Sequence, residues 1–120
     1  MEERRQCGRW RVDKTASIQL EDQGNPFECK IEDVSFKGLR IHSPQVLNED
    51  RNMALNIVLD NDLFLNIEAA VAWSNRQKQG NTYGLYFTKI KDKDRENIYR
   101  YMYSNFQEEL KRRAWEDVGL

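Results

Sequence analysis

Hydrophobic and polar positions alternate with a period of two through most of the chain, and the period lengthens only after about residue 90. Ala16, Ile18 and Leu20 fall on one face of a segment running from Thr15 to Leu20. The turn formers Glu21-Asp22-Gln23-Gly24-Asn25-Pro26 follow it. Phe27 to Val34 reads as a second strand and Gly38 to His42 as a third, with Asp33-Val34-Ser35-Phe36-Lys37-Gly38 as the bend between them. Met53, Leu55, Ile57 and Leu59 alternate cleanly, and Asp60-Asn61-Asp62 supplies a hairpin turn. Leu63, Leu65, Ile67, Ala69, Val71 and Trp73 carry the alternation on to the turn Gln77-Lys78-Gln79-Gly80-Asn81, and Tyr83 to Thr88 is the last strand. Short strands at near-regular spacing predict a small barrel or sandwich; a barrel also leaves no open sheet edge.

From Asp92 the spacing becomes helical. Ile98, Tyr101, Met102, Phe106 and Leu110 recur every three or four residues, with Tyr99 and Tyr103 on the flanks, and the helix is expected over residues 92–118. Asp92 or Asp94 can cap its start, Lys111, Arg112 and Arg113 suit its C-terminal dipole, and Gly119 is a stop. The aromatic stripe reads as packing against the strands. Its distal end, near Leu110 and Trp115, is the part available to another subunit or a target, so a homodimer is one expectation for this chain.

Composition narrows the class. With 120 residues, 39% hydrophobic and 32% charged, the chain is expected to form one domain: an arginine-rich arm over 1–13, strands over 14–90, then the helix. Such a chain buries roughly 60–70% of its unfolded surface and needs no staple of disulfide or metal. Cys7 and Cys29 are too few for a disulfide framework, and one histidine with two separated cysteines supplies no zinc set. No apolar run spans a bilayer and the first residues lack an apolar secretory stretch, so a cytoplasmic location is the expectation. The net charge of −1 speaks against generic nucleic-acid binding, which needs a broad basic surface. Yet Arg4, Arg5, Arg9 and Arg11 crowd the first eleven residues. A local basic arm on a near-neutral protein suits one compact anionic partner; its plain alternative is a solvated tail.

Two motifs sharpen that reading. Arg5-Gln6-Cys7-Gly8-Arg9 is R-x-x-x-R, and Asp33 to Gly38 is D-x-S-x-x-G. Planar guanidiniums can grip phosphates and the O6/N7 edge of guanine, while a carboxylate accepts from guanine's N1 and N2 donors. Asp33 and Ser35 share a face if the segment is extended, and Gly38 permits a positive φ or a close backbone approach. Alone, D-x-S-x-x-G is also explained by an Asx or Ser turn. Together, in this order, the motifs resemble the PilZ domain, a bacterial receptor for cyclic di-GMP, from about Arg4 to Ile90. Val71-Ala72-Trp73 and Tyr83-Gly84-Leu85-Tyr86-Phe87 resemble that family's closing strands.

The resemblance implies an all-β fold with a C-terminal helix: a six-stranded antiparallel β-barrel flanked by an amphipathic α-helix. It implies a ligand site made of Arg4, Arg5, Arg9, Asp33, Ser35 and Gly38, with Arg5 and Arg9 wrapping the ligand and Gly38 contributing main chain. Arg4, a long basic residue before the motif, leans towards an intercalated dimer of cyclic di-GMP rather than one molecule. No catalytic group, metal or cofactor is implied. The implied output is on motility, surface attachment or exopolysaccharide, through a separate and unidentified effector protein. Arg11, Arg40 and His42 stay unassigned, and Trp73 reads as a core or barrel-surface aromatic. One alternative is a PilZ-like interaction module that binds no nucleotide. Another is a single-strand or RNA binder stacking bases on Tyr83, Tyr86 and Trp73, disfavoured by the net charge; an enzyme is disfavoured most.

Overall fold

The computed structural model describes residues 9–20, 25–59, 63–107 and 111–112. Six strands form a closed antiparallel barrel: β1 (Trp10–Leu20), β2 (Phe27–Val34), β3 (Gly38–Ser43), β4 (Met53–Leu59), β5 (Leu63–Gln77) and β6 (Gly80–Lys89). Around the barrel the order is β1-β2-β3-β6-β5-β4, and pairing of β1 with β4 closes it. A helix, α1 (Asp92–Asn105), follows the barrel among the described residues.

Alternation drives this arrangement. On β4 and β5 every second residue from Met53 to Leu59 and from Leu63 to Ala69 is buried, and the two strands pair in simple register from Met53↔Ala69 to Leu59↔Leu63. A one-residue slip would turn that whole apolar set to solvent, so the register is strongly specified. Each fully buried Leu or Ile contributes about 1.5–3 kcal/mol by leaving water. Tyr83 is fully buried, and its hydroxyl accepts a hydrogen bond from Leu47 N at 3.0 Å, tying down the connection between β3 and β4. Tyr83 is therefore a core residue and no platform for a base. Helix α1 turns Ile98, Tyr101 and Met102 into the same core, leaving Tyr99 and Tyr103 outside.

Several boundaries depart from the pattern reading. β1 begins at Trp10, so residues 10–13, predicted as arm, are strand; Trp10 is 3% exposed and its burial draws the strand back. The helix predicted to reach residue 118 ends at Asn105, with Phe106 at φ −138° and ψ 42° as C-cap. Phe106 N donates to Met102 O, and residues 107 and 111–112 are again helical. No basic residue lies in the last turn of α1. Its N-cap is Lys91, without a side-chain capping bond, and Asp92 and Asp94 lie inside the first turn, where they favour the dipole rather than cap. Residues 21–24 and 60–62 of the predicted turns, and Leu110, Arg113, Trp115 and Gly119, lie outside the described residues.

Two irregularities lie on β1 and β2 near the bend. Between Ile31↔Ile41 and Asp33↔Arg40 strand β2 advances two residues while β3 advances one. The extra residue, Glu32, makes a β-bulge that keeps both Glu32 and Asp33 beside Arg40 and returns Val34 to the core. β1 carries its own bulge between Arg11 and Lys14, where Asp13 sits at φ 53°, a left-handed conformation that aspartate tolerates.

Candidate functional site

The bend between β2 and β3 is built around one hydroxyl. Ser35 is 1% exposed; its Oγ accepts from Lys37 N and Gly38 N, each at 3.1 Å, and donates to Gly38 O at 3.3 Å. Ser35 N also donates to Gly38 O at 2.9 Å. This Ser turn needs no ligand to form. Gly38 does not take the positive φ considered for it, and its close neighbour is protein: a Cβ there would lie 2.0 Å from the Leu85 carbonyl oxygen. Glycine is required because β3 and β6 approach too closely at this point for any side chain.

Asp33 is the electrostatic centre. Arg9, 24 residues upstream, donates from Nη1 to Asp33 Oδ1 at 2.8 Å, so the end of the arm reaches the start of the bend. On the other side Arg40 Nε lies 3.1 Å from Asp33 Oδ2 and 3.2 Å from Glu32 Oε1. Those contacts are ion pairs without hydrogen-bond alignment. The Asp33 side chain is 9% exposed and the Arg9 side chain 48%, so the carboxylate is recessed and the guanidinium stands at the mouth. A recessed carboxylate between two guanidiniums can exchange either partner for the N–H donors of a ligand. Nearby, Arg11 Nε donates to Asp13 Oδ2 at 2.7 Å; chiefly through this bond, Arg11 holds the Asp13 carboxyl below its ordinary range.

Barrel register extends the site sideways. Arg11↔Asp33, Asp33↔Arg40, Arg40↔Gly84 and Gly84↔Trp73 are successive partners, one outward row across β1, β2, β3, β6 and β5. Trp73 lies across Gly84: a Cβ at 84 would fall 2.2 Å from the indole Nε1 and 2.3 Å from Cε2. The indole is 42% exposed, which leaves ring area facing out beside Arg40. Tyr86, 48% exposed, is the partner of Gly38. Arg40, left unassigned by the pattern, and Trp73, read there as a core or barrel-surface aromatic, thus join Arg9 and Asp33. The signal that would have found them is register, which is shifted at Glu32 for Arg40 and at Ala72 for Trp73. The extra residue in β5 turns Trp73 off the inward face on which its alternation with Leu63 to Val71 had set it.

The structure therefore brings together Arg9, Asp33, Ser35 and Gly38 of the expected site; Arg4 and Arg5 lie outside the described residues. His42 sits elsewhere, its ring nitrogens 3.1 Å from Thr82 Oγ1 and 3.3 Å from the Gln79 carbonyl, at the β5–β6 turn. Cys29 is buried in the core, and that burial pushes its thiol up to about 12, an unreactive form. Among the described residues no group of three His, Cys, Asp or Glu could hold a metal, and no helix is long and apolar enough to cross a membrane.

No curated protein matches the chain. Among solved structures, the complex of K. pneumonia MrkH with c-di-GMP aligns with a TM-score of 0.70 at 13% identity, covering 88% of this chain and 53% of that one. The PilZ domain of Escherichia coli YcgR with c-di-GMP aligns with a TM-score of 0.66 at 15% identity, covering 92% and 97%. The Bacillus subtilis inhibitor of motility MotI/DgrA aligns with a TM-score of 0.65 at 15% identity, covering 83% and 50%. The chain thus spans about half the length of MrkH and MotI and nearly all of the isolated YcgR domain. At these identities the likeness is one of fold. The family model described as PilZ domain matches residues 3–104, and the chain belongs to that family.

Proposed function

We propose that the protein is a non-enzymatic receptor for cyclic di-GMP, clamping the dinucleotide between Arg4, Arg5 and Arg9 of the arm and Asp33, Ser35 and Gly38 of the bend. The observation that carries this is the 2.8 Å contact between Arg9 and Asp33, which joins the last residue of one motif to the first residue of the other. Arg40 and the Trp73 indole on the same outward row add a second guanidinium and a flat apolar ring, the groups that a guanine base and its phosphate need. YcgR and MrkH, which share the fold, are found with c-di-GMP.

On this reading Arg9 and Arg40 hold Asp33 in the free protein. Guanine N1–H and N2–H then take over the carboxylate, releasing Arg9 to a phosphate or to the O6/N7 edge. The Ser35 hydroxyl and the main chain at Gly38 border the bound nucleotide. Trp73 stacks a base, and Arg4 favours two intercalated ligands. Binding is then passed to a separate effector protein, with motility or exopolysaccharide as the kind of output.

Titration calorimetry with cyclic di-GMP tests the reading. A saturable isotherm is expected, and Asp33→Ala should reduce the preference for it over cyclic di-AMP. The second reading is an interaction module without ligand. It draws on the ion-pairing of Asp33 by Arg9 and Arg40 within the chain itself, which gives this carboxylate partners with no nucleotide. A flat isotherm would establish it.

A further inference from the structure

We propose that Phe36 couples occupancy of the nucleotide site to the outward face of α1, with Tyr99 and Tyr103 as the output; this rests on the cyclic di-GMP reading above. Four rings form a continuous run. Trp10 meets Phe36 edge-on with centroids 5.5 Å apart and planes at 78°. Phe36 stacks on Tyr99 at 6.4 Å and 21°, and Tyr99 meets Tyr103 at 6.0 Å and 36°. The two ends differ in exposure: Trp10 is 3% exposed, whereas Tyr99 and Tyr103 are 48% and 41% exposed.

Both halves of the site converge on the Phe36 ring. Trp10 directly follows Arg9, so redirecting Arg9 from Asp33 to a ligand acts on the residue that packs against Phe36. Phe36 directly follows Ser35, and the bonds from Lys37 N and Gly38 N to Ser35 Oγ bracket it. A ligand that draws on the Ser35 hydroxyl loosens that bracket. Close-packed rings respond by changing packing rather than by continuous deformation, so a shift at Phe36 passes to Tyr99. The inner face of α1 is fixed by Ile98 and Met102, both fully buried, which confines the response to the outer tyrosines.

Fluorine NMR on protein labelled with 3-fluorotyrosine tests this directly. Its five tyrosines are assignable by single Tyr→Phe replacements, and calorimetry on the same samples establishes saturation. Saturating cyclic di-GMP should move the Tyr99 and Tyr103 resonances by more than a linewidth and leave buried Tyr83 in place. Phe36→Leu should cut both responses to less than half at saturation. Tyr99→Leu, outside the nucleotide site, should keep affinity within twofold and still abolish the Tyr103 response. Saturable binding with stationary Tyr99 and Tyr103 overturns the coupling and leaves the receptor reading intact. Undiminished responses in Phe36→Leu, or an undiminished Tyr103 response in Tyr99→Leu should the first variant not fold, also overturn it. An absence of binding by the parent protein overturns the receptor reading and the coupling with it.

Discussion

Gly38→Ala separates a residue kept for the fold from one kept for a ligand. The added methyl would sit 2.0 Å from the Leu85 carbonyl oxygen and 3.1 Å from Leu85 C and Tyr86 Cα, all of them backbone. No side-chain rotation relieves such contacts, so β3 and β6 must part by about 1 Å at the Gly38↔Tyr86 pair. Overpacking of this kind costs about 1–3 kcal/mol. Parting the strands also strains the neighbouring bond from Phe87 N to Lys37 O, 2.9 Å in the native protein, adding about 1 kcal/mol. A loss of about 3 kcal/mol is a large share of the stability of a small domain. With a urea m-value of about 2 kcal/mol/M it lowers the unfolding midpoint by about 1.5 M. Urea denaturation followed by far-UV circular dichroism, without nucleotide, measures this. A midpoint within about 0.2 M of the parent, accompanied by lost binding, would refute the argument and return Gly38 to a purely ligand-facing role.

Arg5→Ala and Arg9→Ala should each weaken cyclic di-GMP binding by more than tenfold in calorimetry, since truncating one partner of a desolvated charge contact costs about 2–5 kcal/mol. Arg5→Ala should leave the urea midpoint where it is; affinity unchanged in either variant counts against the clamp. Arg4→Ala should move the stoichiometry from two ligands per chain towards one, and a parent stoichiometry of one removes the stacked pair. Trp73→Ala should cost binding about 1–3 kcal/mol through lost base stacking, whereas full affinity would confine the indole to covering Gly84. The Cys29 thiol, held at about 12 by burial against an ordinary 9.0, should resist a disulfide reagent at pH 8 in a Cys7→Ser background until the protein unfolds. Because the unfolded thiol ionises first, its contribution to stability should fall as pH rises from about 9 towards 12, a slope that Cys29→Ala removes.

The barrel strands were legible because their periodicity is strict. Met53–Leu59 is a strand with the predicted bounds, and Phe27–Val34 likewise. The reading slipped where a residue's position depends on something distant. Trp10 lengthens β1 because its indole finds a pocket against Phe36, 26 positions away in the chain, and no local pattern announces that. Tyr83 alternates like any strand aromatic, but only the loop that brings Leu47 N to its hydroxyl shows why it is interior. The helix stops at Asn105 although hydrophobic spacing continues, since backbone geometry at Phe106 closes it.

The same division runs through the candidate site. Arg9, Asp33, Ser35 and Gly38 could be named from the two motifs and the family they resemble, because side-chain chemistry and local bends are properties of neighbouring residues. Their meeting could not, nor could the inclusion of Arg40, Gly84 and Trp73, since that row exists only across five paired strands and depends on the extra residues at Glu32 and Ala72. A bulge shifts every later residue by one face, so parity along a single strand loses track of direction. Which groups are present is a local matter written in the chain; which of them face one another follows from how the strands are aligned when the barrel closes.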